Sequence, residues 1–189
     1  SGPFKSYGLA YARHFFSPPT SNEPALNGGY VGIGVNPLGF FSDFNETSGG
    51  FTEGLYTGPG VRPHSIAIRG NAPNTDYLAG TTGNLGDAVD ARVRGVLLGD
   101  QTPTVNRPTD NIFYRRARFY LLPVPGGDMA VTVALQTQPG GPFYTVMNNK
   151  LLNQPIGGGQ TFKIGCGGSN GASNSYTEIR NLVIAAPMQ

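Results

Sequence analysis

Between Met129 and Leu135 every second residue is a large apolar one, Met129, Val131, Val133 and Leu135 alternating with Ala130, Thr132 and Ala134. A side-chain period of two belongs to an extended strand with one face buried. Nowhere does a window of about a dozen residues place apolar side chains at i, i+3, i+4 and i+7, the helical spacing. The chain is also punctuated by 29 glycines and 16 prolines in 189 residues. With 38% hydrophobic residues, including 11 Phe and 9 Tyr, it carries enough apolar surface to pack a core threaded by turns instead of remaining disordered. These features predict an all-β fold, an antiparallel β-sandwich, formed by residues 1–189 as a single domain.

Strand signals recur along the chain. In the stretch from Gly29 to Asn36 the branched residues Val31, Ile33 and Val35 share one face and glycines occupy the other, which predicts close approach of chain or ligand there. A Gly- and Thr-rich loop is expected from Asn45 to Pro63, then a short strand from His64 to Gly70. Residues 82–112 are polar, with Val93, Val96, Leu97 and Leu98 as expected buried anchors. A strand over Asn111–Leu122 places Ala117, Phe119 and Leu121 on one face and Arg116, Arg118 and Tyr120 on the other. A Pro-Gly-Gly turn leads into the Met129–Leu135 strand, and Pro139 to Pro142 turns that strand back into Phe143–Met147. A last hairpin is expected from Phe162 to Ile184, its strands separated by the polar loop Gly167–Asn174.

A net charge of +2 with dispersed basic residues gives no reason to expect a nucleic-acid partner. No apolar run approaches the ~20 residues of a membrane-spanning helix. Low charge, three lysines and abundant Asn, Thr, Ser and Gly suit a secreted or cell-surface protein. The one cysteine, Cys166, forms no disulfide framework and alternates with Ile164 as a core residue would.

Catalytic constellations are weakly represented. A glycosidase needs two carboxylates about 5–10 Å apart across a groove. The pairs Asp43 with Glu46 and Asp87 with Asp90 fall in loop-like sequence and are expected to cap turns. Glu178 stands alone on its strand. His14 and His64 lack a nucleophile motif. Arg115, Arg116 and Arg118 suit phosphate contact in principle, but the alternation predicts that Arg116 and Arg118 lie over a solvated face. The loop with Ser169, Asn170 and Asn174 offers small donors and acceptors beside Tyr176, which suits a sugar.

Several segments resemble the legume-lectin-like (L-type, concanavalin A-like) domains of bacterial surface proteins. GGYVGIGVN at 28–36, GPGVRPHSIAIRG at 58–70, DYLAGT at 76–81 and EIRNL at 178–182 carry the likeness. It implies a jelly-roll sandwich and a sugar-facing rim to which Gly29, Asn36, Ser169, Asn170 and Asn174 would contribute. The family's calcium- and manganese-binding members carry a Glu, an Asp, an Asn and a His where this chain has Gly34, Asn36, Phe40 and Ser65. His64 is one residue off the last of these and so on the opposite face. No metal cofactor is therefore expected, because such sites rest on carboxylates. Strands that precede this region in the family are expected to be missing here or supplied by another chain. The expected function is non-catalytic binding of a glycan or a cell-surface partner, the alternative an assembly module without a sugar site, and a hydrolase a more distant third.

Overall fold

The computed structural model describes residues 14–17, 26–42, 46–48, 51–55, 57–72, 74–98, 114–154 and 163–166, with backbone alone for the strands at 14–17, 46–48 and 51–55. Among these the protein is all-β. Nine strands form three antiparallel three-stranded sheets, and helical structure is limited to three-residue 3-10 turns. Strand β1 (His14–Ser17) pairs with β4 (Phe51–Leu55), which pairs with β3 (Glu46–Ser48). In the second sheet β5 (Ser65–Arg69) lies between β2 (Gly32–Asn36) and β6 (Tyr77–Gly80). In the third, β8 (Met129–Gln136) lies between β7 (Arg116–Pro123) and β9 (Tyr144–Leu151).

The Asn45–Pro63 segment is thus not simply a loop, for it contains β3 and β4. Ser48 pairs with Phe51 across the dipeptide Gly49-Gly50, a two-residue spacing favoured in hairpins. The β7–β8–β9 meander follows the predicted turns. At the first, Val124 donates to Asp128 (2.9 Å) around Gly126 and Gly127, both with φ positive, where glycine carries no steric penalty.

One apolar cluster draws on both large sheets. Ile66 and Ile68 of β5 and Ala79 of β6 share it with Val131, Val133 and Leu135 of β8, Val146 and Met147 of β9, and Leu152. Each fully buried Ile, Leu or Val there contributes about 1.5–3 kcal/mol. Of the anchors expected in 82–112, Val93 and Leu98 are buried and Val96 packs against the cluster, but Leu97 is 41% exposed. Leu85 and Ala88 fill the core instead.

Strand β5 is buried on both faces. Opposite its apolar face, Ser65, Ala67 and Arg69 pair with Asn36, Gly34 and Gly32. The glycine side of β2 is therefore a covered side. Arg69 is fully buried there, its Nε donating to the Phe41 carbonyl (2.9 Å) and an Nη to that of Thr75 (3.0 Å). Its guanidinium carbon lies 5.5 Å from the Phe41 ring centre and 6.0 Å from that of Tyr77.

Strand β7 departs from its prediction in burial. Ala117, Phe119 and Leu121 do share a face with core-facing Leu135, Val133 and Val131. Yet Phe119 is 41% and Leu121 37% exposed, because β7 is an edge strand among the described residues. Of the expected Phe162–Ile184 hairpin only 163–166 fall within the described residues, and these form no strand there. Ile164 is 58% exposed and Cys166 is exposed as well, so the expectation of a core-facing Cys166 is corrected. An alternation of three residues sets opposite faces but cannot by itself supply a sheet to pack against.

Candidate functional site

Asn36 ends β2 opposite Ser65, which begins β5. Its buried side chain caps the turn that follows, Oδ1 accepting from Gly39 N (2.9 Å). Gly39 makes this turn possible. Its φ is +90°, and a Cβ there would lie 2.4 Å from the Arg62–Pro63 backbone. The turn is clamped to that backbone, with Arg62 N donating to Gly39 O (3.2 Å) and His64 N to Pro37 O (2.9 Å).

Beneath the turn, the hydroxyls of Ser42 and Ser65, both fully buried, lie 3.1 Å apart. Asn36 Nδ2 is buried and, among the described residues, has no hydrogen-bond partner. Leaving such a donor unpaired costs about 1–3 kcal/mol, so its retention calls for a reason. The result is a neutral cluster of one amide and two hydroxyls.

This donor set does not suit calcium. That ion takes six to eight oxygens, carboxylates among them, whereas Asn36 Oδ1 is already engaged and Ser42 and Ser65 are neutral. His64 adds no ligand, since its Nδ1 accepts from Leu98 N (3.0 Å). Burial, then the nearby Arg115 cation, hold the His64 pKa below its ordinary value, which favours the neutral ring at pH 7. Among the described residues no three His, Cys, Asp or Glu side chains gather into a metal-binding group.

The remaining site residues separate. Gly29 lies beyond the far end of β2 from Asn36, its carbonyl accepting from Ala72 N (2.8 Å), so the two do not meet. Ser169, Asn170 and Asn174 lie outside the described residues, as do Asp43 and Glu178, and nothing is described of the Glu46 side chain.

The described carboxylates Asp87, Asp90 and Asp128 have structural partners. Asp87 accepts from Thr82 N (2.7 Å) and Oγ1 (3.1 Å). Asp90 caps the turn at 91–93 and pairs with Arg92 (2.5 Å), whose hydrogen bonds hold its pKa down to about 2. Asp128 accepts from the backbone N–H groups of Met129, Asn153 and Gln154. Desolvation would raise its pKa, but these three bonds prevail and lower it. Sequence reasoning missed Ser42 and Asp128, whose roles depend on segments distant in the chain.

What the fold defines is an all-β protein of antiparallel sheets. Compared with protein-family models, curated proteins and solved structures, the chain has no significant match. Among the described residues no helix is long and apolar enough to cross a membrane.

Proposed function

We propose that this chain is a non-catalytic carbohydrate-binding module, a legume-lectin-like jelly roll from a secreted or cell-surface bacterial protein, which works without a divalent cation. The observation that carries the reading is the Asn36 amide. Its oxygen is held by Gly39 while its nitrogen has no partner among the described residues, beside the paired hydroxyls of Ser42 and Ser65. Because Asn36 is 3% exposed and both serines are fully buried, this neutral cluster supports the reading by holding the turn at 37–39 without a cation, and direct sugar contact falls to the rim loop with Asn170 that the resemblance implies. The structural duties of Asp87, Asp90, Asp128 and His64 support a binding role over a hydrolytic one.

A glycan array probed with the purified chain tests the proposal, in chelator and again in calcium. Retention of defined glycans in both conditions, weakened by Asn36→Ala or Asn170→Ala in folded protein, is the expected result. Absence of retention on the whole array overturns it.

A second reading, an assembly module that packs against another chain, is favoured by one feature. Phe119 and Leu121 remain exposed on β7, an edge strand among the described residues, next to the core. Sedimentation decides this point, since an assembly module associates at micromolar concentration and a free-standing binding domain stays monomeric.

A further inference from the structure

Four arginines lie near the β7–β8–β9 sheet, and they are not alike. Arg92 is neutralised by Asp90, and Arg115 donates to the carbonyls of Leu97 (2.7 Å) and Tyr114 (2.6 Å). Arg116 and Arg118 are exposed, and among the described residues no carboxylate pairs with either. Both stand over one ring: the Arg118 guanidinium carbon is 3.8 Å from the centre of Phe143, and that of Arg116 is 6.0 Å away. Stacking restrains a guanidinium while leaving its N–H edge free for a planar or tetrahedral anion.

The same face of β7 continues with Tyr120 and Leu122. Arg116, Arg118, Tyr120 and Leu122 pair with Gln136, Ala134, Thr132 and Ala130, on the side of the sheet opposite Val131, Val133 and Leu135; Ala130, Ala134 and Gln136 are buried beneath their neighbours, so the exposed part of this face is the β7 strip with the corner at Thr132, Asn148 and Asn149. The strip is about 20 Å long at ~3.3 Å per residue. Beside the half-exposed Tyr120, Thr132 Oγ1 contacts Asn148 Oδ1 (3.3 Å) and Asn149 Oδ1 (3.3 Å) and accepts from Asn149 N (2.9 Å). An aromatic ring flanked by a hydroxyl and amides suits a sugar ring, with its apolar face and its hydroxyl edge.

We propose that this outer face of β7–β9 binds an acidic oligosaccharide, a glycan bearing carboxylate or sulfate groups, with Arg116 and Arg118 on the anions and Tyr120 under a neighbouring sugar ring. The inference rests on the carbohydrate-binding reading but places this contact on a surface separate from Asn36. Positive charge without a paired carboxylate selects the acidic member of a glycan pair. The same logic makes binding weaken as salt rises.

The test uses the intact chain and three immobilised oligosaccharides: a uronic-acid polymer fragment, a sulfated galactan fragment, and the same galactan without sulfate. Poly-glutamate serves as the non-carbohydrate anion. One or both acidic glycans are expected to bind at least tenfold more tightly than the neutral galactan and than poly-glutamate. Which one binds separates carboxylate from sulfate as the source of the anion. Arg116→Gln with Arg118→Gln should remove that preference, Tyr120→Ala should weaken both acidic and neutral retention, and Arg118→Lys should restore only part of the loss. Circular dichroism and melting confirm that these surface variants are folded. Equal binding of neutral and sulfated galactan, unchanged acidic binding in the double variant, or poly-glutamate bound as tightly as the acidic glycans overturns the proposal, even if array binding through Asn36 persists. Absence of all glycan binding overturns both this inference and the reading beneath it.

Discussion

Tyr30 and Gln154, 124 residues apart, hydrogen-bond each other in both directions: Tyr30 Oη donates to the Gln154 carbonyl, and Gln154 Nε2 donates to the Tyr30 carbonyl at 2.7 Å. Gln154 Oε1 also accepts from Asn71 N (2.9 Å), in space open only because Gly70 has no Cβ. Asp128 anchors the Gln154 backbone in turn (3.1 Å). One glutamine thus ties the segment leading into β2 and the β5–β6 connection to the end of β9.

Gln154→Ala should therefore lower unfolding free energy by about 1–2 kcal/mol, since the partly buried Tyr30 carbonyl and the exposed Asn71 N–H both lose their partner. Tyr30→Phe, which removes one bond, should cost about 1 kcal/mol. Urea unfolding of both single variants and the double variant checks this. Strict additivity would show that the two residues do not act as one clamp.

Gly39→Ala should be more severe. The substitution forces a side chain into a φ of +90° and against the Arg62–Pro63 backbone at 2.4 Å. A loss of about 3 kcal/mol is expected from strain and displacement together. A melting temperature within a degree or two of the parent would contradict the turn geometry.

His64 predicts a pH dependence. Its folded pKa lies below the ordinary 6.5, so between the two values the unfolded chain binds more protons than the folded one. The stability it confers is complete above about 6.5 and is lost as pH falls toward and through the folded pKa. Protonation also turns Nδ1 from an acceptor of the Leu98 N–H into a donor. The parent should unfold at lower urea at pH 5 than at pH 7. In His64→Asn, where an amide oxygen takes the place of Nδ1 and Asn tolerates the φ of +52°, that part of the slope should vanish. An identical pH slope in both proteins would reject the assignment.

Calcium should leave stability unchanged. A ligand that binds the folded state raises the melting temperature by mass action. With only a neutral amide and two hydroxyls gathered at Asn36, millimolar calcium should produce no shift beyond error. A rise of several degrees that chelator reverses would refute this.

The parts legible in the sequence are those decided within a few residues. Met129 to Leu135 alternate and form β8, and the turns at Pro125-Gly126-Gly127 and Pro139–Pro142 lie where glycine and proline place them. Asp87 and Asp90 cap their own neighbourhoods, as short polar side chains in turns do. Arg116 and Arg118 lie outward because their neighbours on β7 face the core side. The place of Asn36 at the end of the GGYVGIGVN block suggests a site residue, but its bond to Gly39 and the Ser42–Ser65 pair beside it depend on turns and strands that this block does not encode.

Strand period assigns side chains to faces, but what covers a face is settled by chain arriving from elsewhere. For that reason Phe119 and Leu121 share the core side yet stay exposed at an edge, while Leu85 and Ala88, in polar sequence, are buried. The same holds for Arg69, which lies fully inside because Phe41 and Thr75 offer carbonyls and Phe41 and Tyr77 offer rings. An all-β chain, its principal turns and the sides of its strands are legible in the order of residues, since these follow from backbone sterics and side-chain alternation. Which polar groups are buried, and how they are satisfied, depends on the folded chain, because a hydrogen bond such as that between Gln154 and Tyr30 exists only once residues far apart in sequence have been brought within 3 Å.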